Sequence, residues 1–123
     1  MQPGLVKSCR TDAAVEPYTI IAFAGPRNAV RQASAATDPL AGIADSQGGD
    51  AGGLVDVQLS LVAEVRAGGT IAAGDRLTSD ADGRAVKAVK QAGQTVAVIA
   101  IAQVPAVAGD VFDALIDPGF LDG

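Results

Sequence analysis

Residues 54–65 read Leu-Val-Asp-Val-Gln-Leu-Ser-Leu-Val-Ala-Glu-Val, and this stretch decides the fold class. From Val55 to Leu61 the odd-numbered positions are apolar, and the even-numbered positions between them are polar. A repeat of two residues is the period of a β-strand that buries one face and exposes the other to solvent. The sequence therefore predicts a strand over Leu54–Val65 with one buried face and one wet face.

Outward from this stretch, the apolar runs are short, rich in Val and Ile, and bounded by Gly, Pro, Asp or Asn. These features are typical of strands, whereas few features typical of helices occur in the sequence. Seven more runs are predicted as strands: Tyr18–Ala24, Ala29–Ala33, Ala41–Ala44, Arg76–Ser79, Ala85–Val89, Thr95–Gln103 and Val111–Ile116. The chain is therefore predicted to be all-β, with about eight short strands.

An internal repeat organises these strands. A shift of about 56 residues aligns the chain with itself without gaps. The aligned identities are Ala29-Val30 on Ala85-Val86, Ala41 on Ala97, Ile43-Ala44 on Ile99-Ala100, Gln47 on Gln103, Gly53 on Gly109, Val55 on Val111 and Leu59 on Leu115. The pattern predicts a duplicated four-strand unit, with repeats at about 15–60 and 71–116 in a β domain over 15–116. Two such units close as a small barrel or pack as a sandwich, jelly-roll-like or β-clip/tulip-like.

Charge and hydropathy exclude two classes of partner. The net charge is −5 and the isoelectric point is about 4.4, which argues against nucleic acid, because phosphates call for clustered Lys and Arg. The longest apolar run, Thr95–Ala102, is too short for a transmembrane helix, so no membrane partner is expected. The N-terminus lacks a secretory pattern, and synthesis in the host cytoplasm is expected.

The residue types needed for catalysis are scarce. The chain has no histidine, which removes the commonest general base and most zinc sites. Cys9 is the single cysteine, so no intrachain disulfide can form, and it has no histidine to activate it. We therefore expect no enzyme activity, no catalytic residues, no cofactor and no metal site.

One short motif has some features of a cation-binding loop. Asp80-Ala-Asp82-Gly83 resembles the start of a calcium loop, but Arg84, Val86 and Lys87 follow where further acidic ligands would stand. Asp and Gly are also the residues that a tight turn requires for backbone reasons. The sequence favours a hairpin between the flanking strands.

Both ends of the chain are predicted to lie outside the β domain, as an N-terminal arm at 1–14 and a C-terminal tail at 117–123. The arm carries Leu5 and Val6, and the tail carries Phe120 and Leu121 after the last predicted strand. These four side chains are the candidate partner contacts. For Phe120 and Leu121, packing back onto the core is favoured over docking on a neighbouring subunit, and extended arms that order on assembly gain interface area.

The middle of the chain resembles a known family. Residues Val62–Val86, which read VAEVRAGGTIAAGDRLTSDADGRAV, are similar to the central motif of the small cement, or decoration, proteins of tailed-bacteriophage capsids. Ala36–Ala44 and Gly109-Asp110-Val111 fit the same pattern, so the resemblance covers roughly Val15 to Ile116. It implies a β-rich virion protein that binds the outer capsid surface and clamps neighbouring major capsid protein subunits. It also implies self-association as a homodimer or homotrimer, and it transfers no catalytic residues.

Two other classes of function remain open. A carbohydrate- or surface-binding β-module would present exposed Trp or Tyr for stacking, and this chain has no Trp. An enzyme subunit of a small β-clip type would need clustered polar groups in a cleft. The sequence therefore favours a structural virion protein that stabilises the expanded head.

Overall fold

The computed structural model describes residues 6–11, 13–24, 29–59 and 62–122 of the chain, and these residues form an all-β protein. Ten strands occur in them: β1 (Val6–Thr11), β2 (Ile20–Phe23), β3 (Ala29–Gln32), β4 (Leu40–Ala44), β5 (Leu54–Gln58), β6 (Val62–Arg66), β7 (Arg76–Ser79), β8 (Ala85–Lys87), β9 (Thr95–Ala102) and β10 (Val111–Asp122). No helix within these ranges is long and apolar enough to cross a membrane.

The first five strands form a closed barrel in the order β1-β3-β2-β4-β5. β1 closes it, because β1 runs antiparallel to β5 from Val6 opposite Gln58 to Arg10 opposite Leu54. On its other side β1 runs parallel to β3, with Arg10 opposite Ala29. Because the barrel is closed, none of these five described strands has a free edge.

The last five strands form a second sheet in the order β6-β10-β9-β7-β8. Its pairs are all antiparallel. Its two outer strands approach each other only at a single parallel bridge between Ala67 and Ala85. The second sheet is therefore curled like the barrel but not closed.

The two halves share one pattern of strand pairing. Each strand of the barrel has a counterpart in the second sheet that starts 55 to 57 residues later. The corresponding pairs are β1 and β6, β2 and β7, β3 and β8, β4 and β9, and β5 and β10. The antiparallel bridge between Val15 and Gly49 has its counterpart between Ile71 and Ala106. Each half therefore holds five strands, and the predicted unit of four strands is wrong in number. Duplication as the origin of the two halves stays a prediction.

Three predicted boundaries differ from the structure. Residues Val6–Thr11, predicted as part of an arm, form β1, and their mixture of Lys, Ser and Arg hides the strand pattern. The predicted strand Leu54–Val65 is divided into β5 and β6, which belong to different sheets. The predicted tail from position 117 continues β10 as far as Asp122. The strand count is therefore ten where about eight were expected.

One buried cluster joins the two sheets. It consists of Ile20, Ala22, Ala33, Ile43, Ala63, Val65, Ala67, Ile71, Leu77, Ala85, Ile99, Ala100, Ala102, Ala106, Phe112, Ala114 and Ile116. Its members come from both halves, and most are alanine or β-branched residues. Small side chains let two β-layers approach closely, which explains why an Ala-rich chain with few aromatic residues still builds a core.

A second buried cluster fills the barrel itself. It consists of Cys9, Val15, Ile21, Val30, Ala44, Val55 and Val57. Ile21 faces this cluster, whereas its neighbours Ile20 and Ala22 face the cluster shared between the sheets. Strand β2 is therefore apolar on both faces, as expected of a strand with a core on each side.

Backbone hydrogen bonds also connect the halves. The Ile20 amide donates to the Gly83 carbonyl at 2.7 Å, and the Arg66 amide donates to the Tyr18 carbonyl at 2.8 Å. These hydrogen bonds satisfy backbone polar groups that the packing of the two sheets would otherwise bury without partners.

The two halves also share an unusual backbone conformation. Tyr18 has a φ of 61°, in the left-handed region that favours glycine, and Gly74, 56 positions later, has a φ of 90°.

Gly42 in β4 packs directly against β5. A Cβ built at this position would contact the Gln58 carbonyl oxygen, and it would lie 2.6 Å from Val57 Cγ1. We expect Gly42→Ala to lower the free energy of unfolding by about 1–3 kcal/mol, because backbone atoms of β5 must shift. Chemical denaturation of the purified variant measures this. The control is Gly119→Ala, where a Cβ meets nothing within 4 Å; equal stability of the two variants would contradict the prediction.

Candidate functional site

The C-terminal strand contains a β-bulge. Ile116 of β10 lies opposite Ala100 of β9, and Gly119 lies opposite Val98, so two residues of β10 face one residue of β9 between these pairs. One of the two is Pro118, which has no amide hydrogen to give to a ladder. Bulges and strand edges are the positions where a strand tolerates proline.

The bulge reverses the alternation of the strand. Before it, the even-numbered residues Phe112, Ala114 and Ile116 are buried. After it, Phe120 is 70% exposed, although it continues the even-numbered series. Phe120 is the most exposed large apolar side chain in the part of the chain that the structure describes. The extra residue at the bulge thus turns Phe120 outward.

Phe120 borders a shallow apolar depression between the two sheets. The depression has a volume of about 120 Å³ and is lined by Leu40, Ala97, Val98, Pro118, Gly119 and Phe120. Leu40 comes from β4 of the barrel, and the others come from β9 and β10 of the second sheet. We call this surface the Phe120 surface. Aromatic side chains at the centre of such patches are typical of protein contacts.

The loop before Leu40 is held by a carboxylate. Asp38 Oδ2 accepts hydrogen bonds from the amides of Ser34 at 2.8 Å and Ala35 at 3.1 Å. It also accepts a bond from Arg31 Nη1 at 3.0 Å. The hydrogen bond from Arg31 is the main reason that the pKa of Asp38 lies below its ordinary value, and the two amides act in the same direction. The side chain of Asp38 is only 14% exposed, so these bonds are little screened by solvent.

The same loop is bound to the second sheet. The carbonyl oxygen of Ala36 accepts a hydrogen bond from the Ala97 amide at 2.8 Å and a longer one from Thr78 Oγ1 at 3.5 Å. Asp38 therefore fixes a loop that connects β3 to β4 and also bonds to β9. Through this loop it holds Leu40 in place beside Phe120.

The structure separates the four predicted contact residues. Leu5 lies outside the described residues. Val6 is part of β1 and pairs with Gln58, which places it in the barrel rather than in an arm. Phe120 is exposed as a contact residue would be, whereas Leu121 is half-buried and packs back on a third cluster that contains Val96. Among the predicted contact residues that the structure describes, only Phe120 lines the Phe120 surface.

Sequence reasoning missed the other members of the Phe120 surface. Leu40, Ala97 and Val98 lie on strands that read as ordinary core segments, and only their packing brings them beside β10. One signal was available for Pro118-Gly119. A proline followed by glycine within an otherwise continuous strand indicates a bulge, and a bulge changes which face each following residue occupies.

Two other polar residues have structural surroundings. Cys9 lies in β1, is 6% exposed, and donates a weak hydrogen bond to the Lys7 carbonyl at 3.8 Å; burial raises the pKa of its thiol. Asp80 Oδ1 accepts bonds from the amides of Asp82 and Arg84, which closes the turn between β7 and β8. The predicted hairpin is therefore present. The described residues contain no group of three or more potential metal ligands.

We expect Asp38→Ala to destabilise the protein by about 1–3 kcal/mol at pH 7, because the amides of Ser34 and Ala35 and the guanidinium of Arg31 lose their charged acceptor. The folded pKa of Asp38 is lower than the unfolded value, so its contribution is complete above about pH 4. As the pH falls below that value, the contribution is lost and the variant approaches the wild type in stability.

Thermal unfolding at a series of pH values from 7 down to about 2 measures this difference. The control variant is Asp50→Ala, since Asp50 is exposed in a loop of the barrel half. A stability difference for Asp38→Ala that stays constant across the whole pH range would contradict the role assigned to the carboxylate.

The fold is shared with a known phage structure. No protein-family model matches this sequence, and no curated protein matches it either. Among solved structures, the chain is similar to the N base of head fiber gp8.5 in bacteriophage phi29, with a TM-score of 0.70 and 24% sequence identity. The similarity covers 97% of this chain and 98% of that chain. The likeness therefore extends over the barrel, the second sheet and the connection between them.

Proposed function

We propose that this chain is a structural virion protein that binds the outer surface of a tailed-phage capsid and clamps neighbouring major capsid protein subunits. In this role it stabilises the expanded head and performs no catalysis. The observation that carries the proposal is the shared fold with a phage head fiber base over nearly the whole length of both chains. The resemblance of Val62–Val86 to the central motif of capsid cement proteins agrees with it.

The surface of the molecule suits this role. Large apolar side chains are exposed singly at several places on both halves: Phe23, Leu54, Val89, Val104, Val107, Val111, Leu115 and Phe120. A protein that is repeated many times on one shell can bind through small contacts, because each added contact acts at high effective concentration.

Acidity also fits an abundant coat component. A net charge of −5 on 123 residues keeps separate molecules soluble at high local concentration. The same charge favours a shell surface that presents basic or neutral groups. We therefore expect added salt to weaken binding to the shell or to leave it unchanged, because salt screens attraction between opposite charges, and we expect the binding to saturate.

The test is reconstitution on expanded capsids that lack the protein. We expect the purified protein to co-sediment with the shells, to saturate at a fixed ratio to the major capsid subunit, and to raise the temperature at which the shells open. Protein sedimented without shells is the control. No co-sedimentation at micromolar concentration would contradict the proposal.

Two variants locate the contact. Leu54→Asp changes an exposed residue of the barrel, and Val107→Asp changes an exposed residue of the second half. We expect one of them to weaken binding to the shell by about tenfold or more, which corresponds to about 1.4 kcal/mol, and the other to leave it unchanged. The affected variant identifies the half of the molecule that faces the shell.

A further inference from the structure

Strands β6 and β10 present an uncovered face on the side of the second sheet away from its core. The opposed residues on this face are Val62 with Leu115, Glu64 with Asp113, and Arg66 with Val111. The residues that alternate with them are buried: Ala63, Val65, Phe112 and Ala114. Val111 is 36% exposed and Leu115 is 39% exposed, so the outward face is partly apolar and open to solvent. We call these six outward residues the Glu64 face.

Two carboxylates are opposed at the centre of the Glu64 face. The Ala67 amide donates to the Asp110 carbonyl at 2.7 Å, and hydrogen-bonded and non-hydrogen-bonded pairs alternate from there along the ladder. Glu64 and Asp113 are therefore a pair without backbone hydrogen bonds between them, and the Asp113 carbonyl accepts from the Gln103 amide on its other side. Side chains in such a pair lie close, with Cβ atoms about 4.5–5.5 Å apart, and like charges there are destabilising.

No cation in the described part of the chain compensates this pair. Arg66 follows Glu64 on the same face, but its Nη1 donates to the Gly109 carbonyl at 3.1 Å. Within the described residues, no ion pair or hydrogen bond involves the side chain of Glu64 or Asp113. The repulsion between the two carboxylates therefore has no counterpart among these residues that would offset it.

The barrel has an equivalent face without the repulsion. β1 and β5 pair in the register that β6 and β10 repeat, so Ser8 opposite Asp56 corresponds to Glu64 opposite Asp113. Ser8 Oγ donates to Asp56 Oδ1 at 3.0 Å. A hydroxyl thus satisfies the carboxylate in the barrel, whereas a second carboxylate stands in its place in the second sheet. Local conflicts of this kind are expected at functional positions, where a partner resolves them.

We propose that the Glu64 face docks on the capsid shell and binds a basic side chain of the major capsid subunit between the carboxylates of Glu64 and Asp113. Arginine is the best chemical match, because its planar guanidinium has five N–H donors and can bind both carboxylates at once. Val62 and Leu115 lie beside the pair and can cover the methylene groups of that side chain. This assignment rests on the proposed function, since the partner is the shell.

The charge of the face selects this partner over others. A phosphate group, or a second copy of a chain with a net charge of −5, would bring further negative charge to the two carboxylates. Among the described residues no third potential ligand joins the pair, so a divalent ion alone would be held weakly. A cation in the partner surface gains from both carboxylates, and the apolar residues around them exclude water once the face is covered, which strengthens the attraction.

Shell binding of charge-neutral variants tests the proposal. Glu64→Gln combined with Asp113→Asn removes both charges and keeps the size of the side chains. We expect this double variant to bind expanded shells about tenfold or more weakly than the wild type at low salt, and with a smaller dependence on salt. The matched control is Asp50→Asn combined with Asp56→Asn, which removes two charges from exposed residues of the barrel half and should bind like the wild type.

Thermal unfolding of the free protein gives a second test that does not involve shells. We expect the double variant of Glu64 and Asp113 to unfold at a higher temperature than the wild type at neutral pH and low salt, because two like charges no longer face each other. A gain in stability together with a loss of shell binding also shows that the loss is not a loss of the fold. A lower unfolding temperature would mean that the carboxylates have partners within the protein, and it would overturn the proposal.

The shell experiment separates two kinds of failure. If the wild type binds shells and the double variant binds them equally well, the assignment of the Glu64 face is wrong and the proposed function stands. If the wild type does not bind shells, the proposed function is wrong and the assignment falls with it. Shell binding that a chelator of divalent cations abolishes would assign the two carboxylates to a bridging metal ion, and it would also overturn the proposal.

Discussion

The outer face of the barrel and the inner face of the second sheet bury the same cluster of side chains, and the rest of the molecule depends on this contact. Ile20 and Ile43 of the barrel pack with Leu77 and Ile99 of the second sheet, all fully buried. The sheets can meet because many positions between them are alanine. Neither half could bury these faces alone, so the barrel and the second sheet form one folding unit rather than two domains in tandem.

The contact between the barrel and the second sheet also positions the Phe120 surface. The loop that Asp38 closes bonds to β9 through Ala36, and this bond places Leu40 of the barrel against the end of β10. The depression therefore exists only because the two sheets are packed together. A substitution that weakens the packing between the two sheets would therefore alter the Phe120 surface even where it changes none of the residues that line it.

A single extra residue in β10 decides what the molecule presents to partners. Without the bulge at Pro118, the even-numbered series that buries Ile116 would bury Phe120 as well. With it, Phe120 faces outward near the end of the strand.

The sequence by itself determined the all-β class, the positions of most strands and the hairpin at Asp82-Gly83, because these depend on local alternation and turn chemistry. It also indicated an offset near 56 positions between the two halves, although it predicted four strands in each half where the structure has five. Only the tertiary structure decided that β1 closes a barrel, that Leu54–Val65 is divided between two sheets, and that Phe120 faces outward while Leu121 packs inward. These features depend on which strands pair and in which register, and a register is set by contacts between residues far apart in the chain.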